Sequence, residues 1–288
     1  MSTLFDNENK SDMGKLIHVG AGNAIELNDY IAQNFTEILL LEPIPKVFKQ
    51  LESKISKLNE LNVKCNISAL NVALSSSADT SKNKETFYVT LPNRYSSFHK
   101  STQLKTLFQN LKTEQEIVVN ILSFSELIKK ASLDKDKNNA LVLQINGSGF
   151  DVIAQAEVDE LMQFSSIVIQ HEKHNYFGQV KVSADLITLM ESKGFQLAIE
   201  TDHDVVFASL LFRKDESTLK LNVLTEKNEA QIARISELEN QLKASNEAKA
   251  SEINKVNASA EQSKKQIARI SELENQLKAS NEDKTIEV

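Results

Sequence analysis

Hydrophobic residues near the start of the chain predict a strand, a turn, a helix and a second strand between residues 16 and 43. Residues 16–19 and 38–41 are short and almost continuously apolar, which is typical of buried strands. Residues 25–31 lie between them and carry apolar side chains at the spacing of a helix. The turn that leads from the first strand into the helix contains two glycines, Gly20 and Gly22.

The alternation of apolar strands and helices continues to residue 212. Further strands are predicted at residues 67–74, 86–91, 116–121, 141–145, 167–170, 195–200 and 205–212, and further helices at residues 47–61, 104–111, 124–130, 151–162 and 183–193. This order predicts an α/β fold with a Rossmann-like, mainly parallel sheet covered by helices on both faces. The link between the last two strands is too short for a parallel crossover, so we expect an antiparallel hairpin there.

The composition changes near Arg213, and the residues after it predict a long helical tail. They include no aromatic residue, glycine, proline or histidine. The sequence QIARISELENQLKASNE occurs at residues 231–247 and again at 266–282, an offset of 35 residues or five whole heptads. Both copies therefore share one helix face, which predicts a coiled coil that makes the chain a homo-oligomer. About half of the seam is polar, and the alternative is a single solvated helix.

These patterns divide the chain into three parts. We predict a disordered N-terminus at residues 1–13, a globular domain at residues 14–213 and a coiled-coil tail at residues 214–288. The polar N-terminus lacks the apolar core of a signal peptide, and no run of about 18 apolar residues predicts a membrane span.

Charge and cysteine content narrow the classes of partner and site. The net charge of −7, without a strongly basic segment, gives little electrostatic support for a nucleic-acid partner. A single cysteine, Cys65, excludes a disulfide framework and a thiolate zinc site, and fits a reducing cytoplasm. The sequence His171-Glu172-Lys173-His174 lacks the HExxH spacing, so no metal site is predicted.

The turn after the first strand and the end of the second strand together predict a binding site. A turn of Gly20, Ala21 and Gly22 lets backbone N–H groups approach a ligand, and the next helix points its positive end towards it. Glu42 follows the second strand, where a carboxylate can accept both hydroxyls of a ribose. The pair predicts half of a site for an adenosine-containing cofactor.

Residues 14 to about 212 resemble the FkbM-type methyltransferases, through an ordered series of short motifs. The series is LIHVGAGNA, ILLLEPIP, NVALSSS, YSSF, VVNILSFSELI, LVLQINGSGFDVI, HNYFG and LMESKGFQL. The final antiparallel hairpin is also typical of class I methyltransferases. The resemblance implies S-adenosylmethionine as the cofactor and methyl transfer to a hydroxyl of a sugar, polysaccharide precursor or similar small acceptor.

The chain departs from this family at four positions. His18 stands where the family usually has aspartate, Ala24 where it has a third glycine, Asn146 where it has aspartate and Ser148 where it has glutamate. An amide and a hydroxyl can position a substrate, but neither removes a proton near neutral pH. These two substitutions therefore favour a second hypothesis, in which chemistry has been lost.

The motifs supply a set of candidate site residues. The candidates are His18, Gly20, Ala21, Gly22, Glu42 and Asn71 for cofactor binding, Ser96, Ser97, Asn146 and Ser148 for substrate binding, and His99 as the catalytic base. Histidine suits that role because its unperturbed pKa is near 6.5. The alternative roles are a core histidine for His18, a strand end for Asn71 and a solvated loop for residues 96–99.

The sequence thus supports one main hypothesis and two rivals. The main hypothesis is an S-adenosylmethionine-dependent O-methyltransferase whose tail holds several copies together. The first rival is a catalytically inactive methyltransferase-like scaffold that oligomerises through the tail. The second, a nicotinamide-dependent oxidoreductase, needs a parallel final strand and a substrate domain, neither of which the pattern predicts.

Overall fold

The structure is a computed structural model and describes residues 12–61, 63–76, 82–101, 103–178, 183–202 and 205–286. It divides into two compact units, residues 1–219 and residues 220–288. Residues 1–11 of the predicted disordered N-terminus lie outside the described residues, while Met13 already belongs to the first strand and is buried.

The first unit contains ten strands and seven α-helices among its described residues. The strands are β1 (Met13–Val19), β2 (Glu37–Leu41), β3 (Asn66–Leu70), β4 (Ala73–Leu74), β5 (Lys84–Leu91), β6 (Lys112–Leu122), β7 (Asn138–Leu143), β8 (Ser166–Glu172), β9 (Phe195–Asp202) and β10 (Phe207–Lys214). The helices are α1 (Leu27–Ala32), α2 (Pro45–Glu60), α3 (Leu104–Leu107), α4 (Phe124–Ala131), α5 (Gly149–Gln155), α6 (Val158–Leu161) and α7 (Ser183–Ser192). A short 3-10 helix covers Asn93–Tyr95.

The main sheet has seven strands in the order β3-β2-β1-β7-β8-β10-β9. Neighbouring strands from β3 to β8 are parallel, and β10 runs antiparallel to both β8 and β9. The predicted fold class and the predicted final hairpin are therefore confirmed. The chain moves outward from β1 to β3 and then returns to the other side of β1 as β7. In open α/β sheets this switch point is where ligands bind, at the carboxyl ends of the strands.

Two apolar clusters cover the faces of the main sheet. Alternate side chains of β1 divide between them, because successive residues of a strand point to opposite faces. Ile17 and Val19 belong to the cluster that also contains residues of α4, α5 and α7, whereas Leu16 belongs to the cluster that contains residues of α1 and α2. Burying each such side chain contributes about 1.5–3 kcal/mol, so the core fixes the strand ends that carry the site.

The prediction of one strand at residues 67–74 is wrong. The segment forms β3 in the main sheet and β4 in a second sheet of order β4-β6-β5, which the hydrophobic pattern does not predict. The break lies at Asn71, whose side-chain Nδ2 donates to the backbone oxygens of Glu42 and Pro43. These bonds turn the chain away from the main sheet at the end of β3.

The single helix predicted at residues 151–162 is also two helices, α5 and α6. Ala156 has an extended backbone, with φ −66° and ψ 134°, and interrupts the helical hydrogen bonds. The N–H of Glu157 then donates to the Glu160 carboxylate at 3.2 Å, which starts a new turn. By contrast, α4 lies where a helix is predicted and begins with a capping box, in which Ser123 Oγ accepts from the Glu126 N–H at 3.2 Å.

The tail forms one helix, α8 (Glu216–Ile286), of 71 residues. Both copies of the repeat make the same exposed ion pair, Arg234 with Glu237 at 2.5 Å and Arg269 with Glu272 at 2.6 Å. Several large apolar side chains along the helix are exposed, including Ile235 and Leu242. None of the described helices combines the length and the hydrophobicity needed to cross a membrane.

Candidate functional site

A cavity of about 360 Å³ opens at the switch point of the main sheet, beside the carboxyl ends of β1, β2 and β7. Its lining includes eight of the predicted site residues: Gly20, Ala21, Gly22, Glu42, Ser96, Ser97, Asn146 and Ser148. The elements that carry these residues are far apart in sequence. The fold therefore brings the predicted cofactor residues and the predicted substrate residues to one cavity.

The glycine turn shapes the cavity through its backbone conformation, and it contributes little through its hydrogen-bond donors. Gly20 and Gly22 have φ of +80° and +53°, in the left-handed region that favours glycine. The N–H groups of Gly20 and Ala21 both donate to the backbone oxygen of Leu41 at 2.9 Å. Because α1 begins only at Leu27, the turn and the residues that lead into the helix, Ile25 and Glu26, line the cavity. All three N–H groups of the turn, including that of Gly22, which donates to Glu42 Oε2, are therefore engaged within the protein.

Glu42 is the central polar group of the cavity. Its side chain is 4% exposed. Its Oε2 accepts from the Gly22 N–H at 2.9 Å and its Oε1 accepts from the Ile44 N–H at 2.8 Å. Burial raises the pKa of Glu42 to about 7, while the two backbone hydrogen bonds act in the opposite direction. Each carboxylate oxygen can accept more than one hydrogen bond, so Glu42 retains capacity for a ligand hydroxyl.

Two predicted cofactor residues, His18 and Asn71, do not line the cavity. His18 is fully buried, and its Nδ1 lies 3.3 Å from the hydroxyl oxygen of Tyr30. Burial lowers the pKa of His18, so the imidazole is neutral near pH 7. Asn71 donates to the backbone oxygens of Glu42 and Pro43 at 2.8 and 3.1 Å. Neither side chain lines the cavity. His18 packs within the buried strand β1, and Asn71 fixes the backbone that carries Glu42.

Asn146 holds the segment that forms the opposite lip of the cavity, residues 93–98. Its Nδ2 donates to the backbone oxygens of Arg94 and Ser96 at 2.8 and 3.0 Å. Its own backbone oxygen accepts from Ser97 Oγ at 2.6 Å, and its Oδ1 accepts from Gln170 Nε2 at 3.3 Å. The amide predicted to bind substrate is thus engaged within the protein.

We expect Asn146→Asp to destabilise the domain by about 2 kcal/mol, because a buried carboxylate would face two backbone oxygens without a donor. For a domain of this size that corresponds to a fall of about 5 °C in the melting temperature. Thermal unfolding at pH 7 measures it, with Gln170→Ala as a control that removes only the longest of the four bonds. An unchanged melting temperature for Asn146→Asp would contradict this role.

The remaining lip residues differ in what they offer a ligand. The Ser96 hydroxyl accepts from the Thr90 N–H at 3.0 Å and lies 3.4 Å from the Thr90 hydroxyl. Ser97 Oγ accepts from the His99 N–H at 3.0 Å in addition to its bond to Asn146. Ser148 is buried, and its hydroxyl makes no capping hydrogen bond to α5. Among the predicted substrate residues, Ser148 is therefore the best placed to contact an acceptor.

His99, the predicted base, is half-buried and is not part of the cavity lining. Its ring packs against Gly147, where a Cβ would lie 2.9 Å from His99 Cδ2. Gly147 lies between two lining residues, Asn146 and Ser148. Burial lowers the pKa of His99 and outweighs the opposing effect of Asp151. The imidazole is consequently neutral near pH 7. Its ring is separated from the cavity by Gly147.

Sequence reasoning missed several residues that line the cavity. They are the apolar residues Ile44, Val47, Phe87, Phe98 and Phe207 and the polar residues Arg94, Gln144 and Gln170. Gln144 and Gln170 lie at or next to the carboxyl ends of β7 and β8, so the rule for strand ends could have found them. Phe87 and Phe98, whose rings meet edge to face at 5.1 Å, belong to the unpredicted second sheet and the segment that follows it.

The strand order and the position of the cavity define a Rossmann-like α/β domain whose sheet resembles that of class I methyltransferases. No protein-family model matches the sequence, and a search of curated proteins finds no match. Solved structures with a similar fold include methyltransferase FkbM from Methylobacillus flagellatus, with 14% identity, a TM-score of 0.42, and coverage of 70% of this chain and 44% of that chain. This chain thus spans less than half of that structure.

Two further solved structures have a similar fold. A SAM-dependent methyltransferase from Aquifex aeolicus has 10% identity and a TM-score of 0.35, and the match covers 69% of this chain and 80% of that one. TrmK from M. capricolum, solved in complex with S-adenosyl-homocysteine, has 11% identity and a TM-score of 0.35. That match covers 74% of this chain and 66% of the other.

Proposed function

We propose that the protein is an S-adenosylmethionine-dependent methyltransferase. The observation that carries this proposal is the buried carboxylate of Glu42, which lies at the end of β2 and beside the glycine turn in the switch-point cavity. A ribose presents two neighbouring hydroxyl donors, and this carboxylate has the acceptor capacity for both. The apolar side chains of Ile44 and Val47, which follow Glu42 in the chain, also line the cavity and suit a purine ring.

The acceptor in this proposal is a hydroxyl of a sugar, polysaccharide precursor or similar small molecule, as the FkbM-type motifs imply. Glu42 would hold the bound cofactor, which would supply an electrophilic methyl group for transfer from its sulfonium sulfur to the acceptor oxygen. The protein contributes mainly proximity, by holding both molecules in one cavity. Ser148 orients the acceptor, and His99 is our proposed recipient of the hydroxyl proton through an intervening water, because its neutral imidazole lies behind Gly147 and outside the cavity lining.

Calorimetric titration of the purified chain with S-adenosylmethionine and S-adenosylhomocysteine tests the proposal. We expect binding of one molecule per chain with a dissociation constant in the micromolar range. A screen of sugar acceptors with methyl-labelled cofactor then tests transfer to oxygen. Failure of a folded protein to bind either compound would refute the proposed function.

A second candidate function is a methyltransferase-like scaffold without activity. The observation that favours it is the engagement of Asn146 and Ser97 by internal hydrogen bonds, which removes two of the predicted contacts to an acceptor. Binding of S-adenosylhomocysteine without methyl transfer to any acceptor would support the scaffold. Turnover with an acceptor would exclude it.

The tail has its own part in the proposed function, which is to assemble the chain into a homo-oligomer. The support is the row of exposed apolar side chains that recurs in both copies of the repeat, at Ile235, Leu238 and Leu242 and again at Ile270, Leu273 and Leu277.

We place the protein in the cytoplasm, because its single cysteine, Cys65, is buried and unpaired. The proposed partners are a small acceptor molecule, which binds in the cavity, and further copies of this chain, which bind through the tail. We propose no nucleic-acid partner.

A further inference from the structure

The exposed face of α8 has a heptad pattern that carries information on the orientation, the register and the number of helices in an association. With Ile235 placed at position a of the heptad abcdefg, the a and d positions form the seam. Large apolar residues at a and d whose side chains are exposed are Leu224, Ile235, Leu238, Leu242, Val256, Ile270, Leu273 and Leu277. Exposed Ile232, Ile253 and Ile267 lie at position e and widen this stripe on one side. An exposed apolar stripe of this length on a helix calls for a partner surface.

The charged residues beside the seam are separated by sign. Between residues 227 and 278, each charged residue at position g is basic and each charged residue at position e is acidic. Within each copy of the repeat, the basic g residue precedes the acidic e residue by five positions, as Arg234 precedes Glu239 and Arg269 precedes Glu274. In a parallel coiled coil, g of one helix meets e of the next heptad of its partner. That spacing is also five residues.

This separation of charge distinguishes the possible orientations. A parallel, in-register pair of tails forms four ion pairs between helices, two in each copy of the repeat. An antiparallel pair brings g beside g and e beside e, so basic residues meet basic residues and acidic meet acidic. A parallel pair staggered by 35 residues keeps the charge match, but it leaves one copy of the repeat on each chain without a partner. Of the parallel arrangements, only the in-register pair engages both copies of the repeat on each chain.

The residues of the seam indicate the number of strands. Both copies place isoleucine at a, as Ile235 and Ile270, and leucine at the following d, as Leu238 and Leu273. A β-branched residue at a with leucine at d favours two strands. Asn228 and Lys249 at position a are two of several polar residues in the seam, which also contains Ser263 at a and Gln231, Ser245 and Glu252 at d. Polar residues at position a restrict the register and the number of strands at some cost in stability.

We infer that the partner of the tail is a second copy of this chain, in a parallel, in-register, two-stranded coiled coil. The inference rests on the proposed oligomerisation through the tail and adds its orientation, register and strand number. In the single chain, Arg234 and Arg269 bond instead to Glu237 and Glu272 at position c. Exposed pairs of this kind are weak, so the arginines can turn to the partner helix on association.

Charge reversal in the full-length chain tests the orientation. We expect Arg234→Glu with Arg269→Glu to raise the dimer dissociation constant about tenfold to a hundredfold at low salt, because four attractive contacts become repulsive. Adding Glu239→Arg and Glu274→Arg restores the charge match and should return the dissociation constant to near the wild-type value. Sedimentation equilibrium measures it, and circular dichroism confirms that the helix content is kept.

The matched control is Glu237→Arg with Glu272→Arg. This variant breaks the same bonds within each chain but leaves the g and e positions unchanged. We expect its dissociation constant to stay within a factor of about three of the wild type. An equal weakening in the control and the test variant would contradict the proposed contact between g and e.

A disulfide provides a second test of orientation and register. Ser245→Cys places a thiol at position d, where an in-register parallel dimer brings it beside its own copy. Ser236→Cys, at the outward position b, is the control. Mild oxidation should link the first variant into covalent dimers and leave the second unlinked.

The possible outcomes separate this inference from the proposed function on which it rests. A chain that sediments as a monomer at micromolar concentration overturns both the oligomerisation and its geometry. A dimer that is insensitive to charge reversal and forms no link at position 245 overturns the parallel geometry alone. A trimer overturns the strand number. Neither measurement depends on methyl transfer.

Discussion

Replacing Glu42 with alanine is expected to weaken the binding of S-adenosylmethionine and S-adenosylhomocysteine by at least about a hundredfold. Two hydrogen bonds from ligand hydroxyls to a charged carboxylate contribute about 1.5–3 kcal/mol each, and both are lost together. Isothermal titration calorimetry measures the change, and thermal unfolding confirms that the domain stays folded. Unchanged affinity in a folded variant would remove Glu42 from the site.

The pH dependence of binding to the wild-type chain is an internal control for this prediction. The pKa of Glu42 in the folded domain is about 7, above its ordinary value of 4.5. Between these values the folded state binds more protons than the unfolded state, so the stability contributed by this group is lost as pH rises through that window. Binding has the opposite trend, since the ionised carboxylate is the better acceptor. Affinity should therefore rise from pH 6 to pH 8 in the wild type and stay flat in Glu42→Gln.

Gly20→Ala is expected to destabilise the domain by about 2–5 kcal/mol and to abolish cofactor binding. A Cβ at this position would lie 2.2 Å from the backbone oxygen of Gln144, which cannot move without shifting β7. Overpacking costs about 1–3 kcal/mol, and the positive φ adds about 1–2 kcal/mol for any residue with a Cβ. Chemical denaturation measures the stability, and calorimetry measures the binding.

Gly22→Ala is the matched control, because it separates backbone strain from steric clash. Its φ is also positive, at +53°, but a Cβ there would meet no atom within 4 Å. We expect a loss of about 1 kcal/mol from strain alone. Equal effects for the two alanine variants would contradict the view that close packing of Gly20 against Gln144 shapes the cavity.

The order of the elements and the location of the site were largely predictable from the sequence. Apolar runs at strand period locate the ends of β1, β2 and β7, and parallel strands converge at their carboxyl ends. That is why Gly20, Glu42 and Asn146, which lie some 20 to 125 residues apart in sequence, were expected together and do share a cavity.

What the sequence could not reveal is how the polar side chains are used. Asn146 and Asn71 both looked like ligand contacts, yet each donates two hydrogen bonds to backbone oxygens. The oxygens that Asn146 binds lie about 50 residues away in the chain. Such partners depend on the three-dimensional course of the loops, which leaves no periodic signal. The second sheet was not predicted either, because a two-residue strand such as β4 has no detectable pattern in the sequence.

The identical copies within α8 make the tail a modular spacer. Loss or gain of one 35-residue unit, for example by recombination between the two identical segments, would change the helix length by about 52 Å. The heptad phase on either side of the junction would be unaltered, because the unit is a whole number of heptads. The length of this helix and the pattern by which it pairs are therefore independent of each other. The length can evolve in steps of 35 residues while each new copy pairs through the same heptad positions.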